Sequence, residues 1–325
     1  MRPIRRILVA LKQSRRRSSP AIQKAAALAR ALDAQIELFH ALETPLYSDS
    51  YAMLQGVDEQ QRIMTEQAHG WLDALAVPLK RRGLKVSTRT AWDFPVYEAV
   101  IRRARKSGAD LIVAECHEGR HAAPALLRLN DWELLRLSPV PVLLVKSAKP
   151  YSRPAILAAV DPTHAFAKPA RLDEEILTIA SLVGAKLRGP LHVVHAFNAL
   201  PAVASAEYLD EDFTVRIEAA ARKSAGKLLE RTLRKRSIPP SRRHLVPEHA
   251  IDGIPRIARE THSAIVVMGA ISRSGLRNLF IGNTAERLID RLSCDLLVVK
   301  PKLFKSRVSS RSRGVRIVAP AVLLP

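Results

Sequence analysis

Cysteine, aromatic residues and long apolar runs are all scarce in this sequence, and each scarcity excludes something. The two cysteines, Cys116 and Cys294, lie far apart with no metal-binding or redox spacing, which rules out a disulfide framework and a cysteine zinc site. Each falls in or beside an apolar run that reads as a buried strand, so both are expected to be reduced core thiols. No stretch approaches the ~18 apolar residues a membrane span needs. Arg2, Arg5 and Arg6 precede an apolar run, but that run, Ile7 to Leu11, ends at Lys12 with no small-residue cleavage site after it. The last apolar segment, Val315 to Pro325, is interrupted by Pro320. The expectation is a cytoplasmic protein without a membrane span. Paired carboxylates and a Ser/His/Asp set are also missing, so no catalytic residue is assigned.

What is abundant is positive charge. The sequence holds 52 basic against 31 acidic residues, a net charge of +21, with runs at Arg15-Arg16-Arg17, Lys80-Arg81-Arg82 and Arg234-Lys235-Arg236. Such a balance favours association with polyanions without specifying a fold. Aromatic residues make up only 5% and no recognition motif accompanies the charge, so a basic polyanion- or nucleic-acid-binding protein is the alternative reading.

The chain repeats itself. Arg6-Ile7-Leu8-Val9-Ala10-Leu11 has a counterpart in Ala155-Ile156-Leu157-Ala158-Ala159-Val160, and Glu37-Leu38-Phe39-His40-Ala41-Leu42 in His192-Val193-Val194-His195-Ala196-Phe197. Asp110-Leu111-Ile112-Val113-Ala114 matches Ala264-Ile265-Val266-Val267-Met268, and Arg136-Leu137-Ser138 matches Arg291-Leu292-Ser293. Landmarks recurring in the same order mark a duplication.

Within the first copy, strands and helices alternate. Ser19 suits an N-cap and Pro20 a first helical turn, opening an alanine-rich helix toward Leu32. Further helices are expected over Met64 to Leu75, Val96 to Lys106 and Asp131 to Leu137. Strands are expected around Ile36 to Ala41, Lys85 to Ala91, Leu111 to Ala114 and Val142 to Val145. Short apolar strands separated by helices imply a parallel sheet covered on both faces. The expected organisation is a first domain over 1–147, a linker over 148–154 with two prolines, a second domain over 155–303, and a basic, Ser/Arg-rich disordered tail over 304–325.

Ligands of open parallel sheets bind beyond the carboxyl ends of the strands, where strand order reverses. In the second copy that region holds Met268-Gly269-Ala270-Ile271-Ser272, nine residues, then Gly282-Asn283-Thr284-Ala285-Glu286. Gly269 ends a strand where backbone is expected to approach a ligand closely. Gly282 precedes a helix whose free N–H groups can receive phosphate. This pattern resembles the universal stress protein family, whose ATP-binding members carry glycine, two residues, glycine, nine residues, glycine and a hydroxyl residue. The resemblance covers about residues 4 to 303 and is closest to members with two fused domains. It implies an α/β fold of two Rossmann-like domains (adenine nucleotide alpha hydrolase-like), each a five-stranded parallel sheet with helices on both faces. It also implies a stress-response role and a binding set for ATP or a related adenine nucleotide: Ala159, Asp161, Ala196, Met268, Gly269, Ile271, Ser272, Gly282, Asn283 and Thr284. Asp161 falls where the family has an adenine-facing aspartate, and Ala196 where its backbone faces adenine. Ser272 replaces the second glycine of the pattern, and Asn283 and Ala285 stand where hydroxyl residues are usual. No metal is expected, and slow ATP hydrolysis is the upper limit of activity. The resemblance further implies an intramolecular pseudo-dimer, with Val142 to Val145 and Leu296 to Val299 near the contact, and allows a homodimer.

The first copy departs further. Lys12 stands where the aspartate would be, and Glu115 to Leu129 contains one glycine, Gly119. A structural domain without a standard nucleotide is expected there, with Lys12 and Arg15 to Arg17 as positive charge near a strand end. His117-Glu118-Gly119-Arg120-His121 matches H-E-x-x-H in letters, but it follows a strand, contains glycine and leads to Pro124, so the helix a zinc protease needs is not expected. Arg273 and Arg277 are loop cations near the phosphate side, and His40 and His195 end matching strands as structural histidines.

Overall fold

The computed structural model describes residues 3–12, 19–43, 46–47, 55–116, 124–163, 172–198, 211–270, 287–288 and 290–318. The chain divides into two units. An N-terminal unit comprises residues 3–150 together with 305–318, and a C-terminal unit comprises 151–304.

In the N-terminal unit the elements run β1 (Arg6–Ala10), α1 (Pro20–Leu32), β2 (Gln35–Leu42), β3 (Leu46–Tyr47), α2 (Gln55–Arg81), β4 (Val86–Trp92), α3 (Val96–Ser107), β5 (Leu111–Glu115), α4 (Pro124–Leu137) and β6 (Val142–Val145). The sheet order is β4-β2-β1-β5-β6, with every pairing parallel. Central strands carry consecutive apolar residues because helices cover both faces. Ile7, Leu8 and Val9 of β1 and Ile112 and Val113 of β5 are wholly buried. The start of α1 follows its sequence signals: the Ser19 hydroxyl oxygen accepts from the Ala21 N–H at 3.1 Å, and Pro20 fills the first turn.

Helix α2 runs beyond the expected Met64 to Leu75 at both ends, where Val57, Ala76 and Leu79 are buried. The edge strand β4 alternates in exposure, and its inward residues each meet one turn of α2. Thr88 donates to Asp73 at 2.7 Å, Thr90 lies 2.8 Å from His69 Nε2, and the Trp92 indole donates to Thr65 at 2.8 Å. Two residues of strand and four of helix both advance about 6 Å, so the two periods stay in step.

The C-terminal unit repeats the plan with β7 (Ala155–Ala159), α5 (Leu172–Lys186), β8 (Leu191–Ala196), α6 (Glu211–Leu233), β9 (Arg243–Val246), α7 (Ala250–Glu260), β10 (Ser263–Gly269) and β11 (Asp295–Val299). Its order is β11-β10-β7-β8-β9, again all parallel. In both units the chain moves outward through two strands and then returns to the other side of the first. The switch points therefore fall between β1 and β5 and between β7 and β10.

Residues 305–318 differ from the expected disordered tail. Val308 is buried, the Arg105 side chain donates to its carbonyl at 2.7 Å, and β12 (Ile317–Val318) pairs in parallel with β3. Composition misjudged this segment because it is held largely through its backbone, which every sequence supplies equally.

Candidate functional site

The carboxyl ends of β7, β8 and β10 form the candidate site. Register sets Ala159 beside both Met268 and Val194, so the strand ends carrying Ala159, Met268 and Ala196 lie on neighbouring strands. Asp161 is the second residue past β7, directly at the switch point. Its N–H donates to Asp173 Oδ1 at 3.2 Å, and its Oδ1 accepts from the Thr163 hydroxyl at 2.5 Å. Asp161 Oδ2 has no hydrogen-bond partner among the described residues, and the residue is partly exposed. The carboxylate is thus oriented at one oxygen and open at the other.

Asp173 was not found by motif reasoning. It sits in the acidic first turn of α5, Asp173-Glu174-Glu175, and is 3% exposed. The acidic triplet was the available signal. Glu175, also buried, meets Lys302 at 3.0 Å. The described part of this crevice thus carries the carboxylates of Asp161 and Asp173.

Gly269 has a packing reason for lacking a side chain. A Cβ there would lie 2.4 Å from Leu172 Cδ2 and 2.8 Å from its Cγ. Leu172, wholly buried at the start of α5, fills the space a side chain would occupy. The glycine lets helix and strand end pack closely, which positions the Asp173 turn against Asp161.

The histidines match between the units. His40 Nδ1 lies 2.9 Å from the Leu11 carbonyl, and His195 Nδ1 lies 3.3 Å from the Val160 carbonyl. Leu11 and Val160 immediately precede Lys12 and Asp161. Each imidazole thus ties the end of its unit's second strand to the turn that carries the site residue, a positioning contact. His40 also meets Trp71 edge-on at 5.4 Å, and burial lowers its pKa, against the Leu11 carbonyl and Glu43.

Lys12 replaces the aspartate in the N-terminal unit, so the two switch points differ in sign. Crowding of its ammonium lowers the Lys12 pKa although the side chain as a whole is exposed, while the carboxylates of Asp131 and Glu43 push the other way.

A second histidine pair lies away from the site. His192 Nδ1 and His244 Nε2 are 3.0 Å apart, a contact that needs at least one neutral ring, and burial lowers the pKa of both. Arg242 and Arg256 add to that lowering, and Glu260 opposes it. Because folded values fall below the ordinary 6.5, the unfolded chain takes up protons first as pH drops. Stability from these groups is complete above about 6.5 and is lost progressively as the pH falls below it. Thermal melts should show a flat Tm from pH 8 to 7 and a decline below 6.5 that is reduced in His40→Gln and His192→Gln. A Tm that rises on acidification through this range would contradict the assignment.

Ile271, Ser272, Arg273, Arg277, Gly282, Asn283 and Thr284 lie outside the described residues, as do Arg15 to Arg17, His117, Gly119 and His121. Among the described residues no group of three or more His, Cys, Asp or Glu side chains is arranged to hold a metal ion, and no helix is long and apolar enough to cross a membrane.

Comparison with known proteins accounts for the duplication. The chain is 29% identical over 300 residues to universal stress protein E of Escherichia coli K12, a match covering 89% of this chain and 92% of that protein. The crystal structure of a putative universal stress protein from Pseudomonas aeruginosa UCBPP-PA14 superposes with a TM-score of 0.67 at 27% identity, covering 92% of this chain and 94% of that one. A functionally unknown protein of Pseudomonas aeruginosa PAO1 gives a TM-score of 0.70 at 25% identity, with 92% and 93% covered. The sequence model of one family, described as the universal stress protein family, matches residues 3–146 and again 155–300. Matched twice over nearly its whole length, the chain belongs to the universal stress protein family as a tandem member with two such domains.

Proposed function

We propose that the C-terminal unit binds one adenine nucleotide, ATP or a close relative, and that the chain serves as a nucleotide-responsive stress protein. The observation that carries this reading is Asp161: its Oδ1 is engaged by Thr163, its N–H by Asp173, and its Oδ2 stays open at the switch point. An oriented carboxylate oxygen accepts well from the exocyclic amino group of adenine. Ala159, Ala196 and Met268 offer small or apolar surface on the neighbouring strand ends for a flat base. The phosphates are assigned to the sequence bearing Gly269, Ile271, Ser272, Gly282, Asn283 and Thr284, whose glycine spacing and sequence-expected helix start would supply N–H groups. Binding rather than turnover is the proposed activity, because His195, whose Nδ1 faces the carbonyl of Val160 next to Asp161, is wholly buried.

Differential scanning fluorimetry tests this directly. With ATP at about 100 times Kd, the C-terminal unit should gain about 2.7 kcal/mol and its melting transition should rise. Asp161→Ala should weaken affinity about 10- to 100-fold, as loss of a charged hydrogen bond does, and shrink the shift accordingly. An unchanged melting curve at millimolar ATP in the unmodified protein would overturn the reading.

A further inference from the structure

Helix α2 is held on two of its sides and open on the third. Ala68, Leu72, Ala76 and Leu79 are buried in the N-terminal unit, and Thr65, His69 and Asp73 bond to β4. The outward side carries Glu59, Ile63, Gly70, Ala74, Val77 and Arg81, all exposed. With 3.6 residues per turn they fall within ~40° of the direction of Gly70. Ile63 and Val77, 40% and 43% exposed, are two of the four large apolar side chains exposed among the described residues. They lie equal distances in sequence from Gly70, one on each side, and nothing stands within 4 Å of a methyl added at that glycine. Charge is ordered along the same helix. Its amino half holds three carboxylates, Asp58, Glu59 and Glu66, against one guanidinium, Arg62, which meets Glu59 at 2.6 Å and Glu66 at 2.7 Å. Its carboxyl end holds Lys80 and Arg81, followed by Arg82 and Lys85, with no carboxylate between 74 and 85. The helix dipole accounts for that order of charge, but not for the exposed apolar pair centred on the same glycine.

We propose that this side of α2 is a contact between two copies of the chain, packed antiparallel about a two-fold axis at Gly70. A contact of this symmetry requires a surface that complements itself after a half-turn. The outward side of α2 does so in both shape and charge. Ile63 and Val77 are equidistant from Gly70, and so are Glu59 and Arg81. In the antiparallel pair Ile63 therefore meets Val77 of the second copy, and Glu59 meets its Arg81. Each of these contacts occurs twice, once on either side of the axis. Gly70 and Ala74 keep the centre free of bulk, which lets the helix axes approach to about 8–10 Å. A parallel pair would set acid against acid and base against base, so charge selects the antiparallel one. The same carboxylates repel a nucleic-acid backbone from this face. The stretch from Glu59 to Arg81 is about 33 Å long. One helix face of that length buries less than the ~1,600 Å² of a standard interface, so the association is reversible and in the micromolar range. This inference stands apart from the nucleotide reading.

Sedimentation velocity of the full chain at low salt tests the contact, with concentration raised from about 1 to 200 μM. The unmodified protein should pass from monomer to dimer over this range. Glu59→Arg and Arg81→Glu should each weaken the dimer at least about tenfold, because two attractive contacts become two repulsive ones. Glu59→Arg combined with Arg81→Glu restores opposite charges across the axis and should return Kd to within about threefold of the unmodified value. Ile63→Ser, which removes apolar contact and no charge, should weaken the dimer about tenfold. All three side chains are exposed, so the melting temperatures of the variants should stay close to that of the unmodified protein. A chain that remains monomeric throughout, a dimer as strong in both single charge variants as in the unmodified protein, or a double variant as weak as either single one would overturn the proposal.

Discussion

Asp93→Ala is expected to lower the stability of the N-terminal unit by about 3–5 kcal/mol, a large fraction of what a domain has. Asp93 closes a buried ion pair with Arg102, at 2.7 Å to Nε and 2.8 Å to Nη2, and the two side chains are 5% and 7% exposed. Glu98 adds a third charge, 2.9 Å from Arg102 Nη1. The same aspartate accepts from the N–H groups of Phe94 at 2.9 Å and Arg313 at 2.9 Å. Truncating it leaves the buried guanidinium with Glu98 as its one remaining ion-pair partner and with Nε unpaired, in a site that water does not readily enter, and that loss of compensation sets the size of the effect. The substitution should also loosen residues 305–318, because the Arg313 N–H loses its buried acceptor. Urea unfolding followed by far-UV circular dichroism reads the loss. The exposed pair of Arg62 with Glu59 and Glu66 supplies the contrast: Arg62→Ala should leave the curve unchanged. A loss below about 1 kcal/mol for Asp93→Ala would mean the network is not desolvated as described.

The second large effect belongs to the C-terminal unit. At Gly189 a Cβ would lie 1.8 Å from the Pro154 carbonyl oxygen and 2.7 Å from its carbon. Both are backbone atoms, so no rotamer relieves the clash. Gly189 precedes β8, Pro154 precedes β7, and the Ile156 N–H donates to the Pro190 carbonyl at 2.9 Å, so the contact marks where the two strands come together. Gly189→Ala should therefore cost about 3 kcal/mol, the upper range for overpacking, and shift urea unfolding of this unit. Gly70→Ala provides a control of opposite sign. It sits inside α2 with nothing within 4 Å of the added methyl, so it should stabilise by about 0.5–1 kcal/mol. If Gly189→Ala were neutral, the close approach of the two turns would be wrong.

The fold was legible in the sequence where burial on both faces forces consecutive apolar residues, as in Ile7 to Val9, Leu111 to Ala114 and Val142 to Val145. Duplication made the reading redundant for β1, β2 and β5, whose counterparts were read in the second copy as well. Legibility failed where contacts depend on partners rather than on composition. The contacts of Asp73, His69 and Thr65 with β4 are polar pairs that no apolar periodicity reveals. Residues 305–318 are held through carbonyls of Ser306, Val308 and Ser309, groups present in any sequence.

The site divides in the same way. Asp161 was singled out by the resemblance to the universal stress protein family, and His40 and His195 by matching positions in the two copies. Gly269 was found by spacing, yet its surroundings give it a packing role against Leu172. Asp173 escaped notice because an acidic first turn is common in helices for dipole reasons alone. Its bond to the Asp161 N–H arises only when α5 packs on β10 and β7.

The difference in sign between Lys12 and Asp161 makes stoichiometry the sharpest question about the chain. Native mass spectrometry of the intact protein titrated with ATP answers it, because each bound nucleotide adds its own mass. One nucleotide per chain, abolished by Asp161→Ala and kept in Lys12→Ala, is the expected result. Two equivalent nucleotides per chain, or none at saturating ATP, would contradict a single competent crevice in the C-terminal unit.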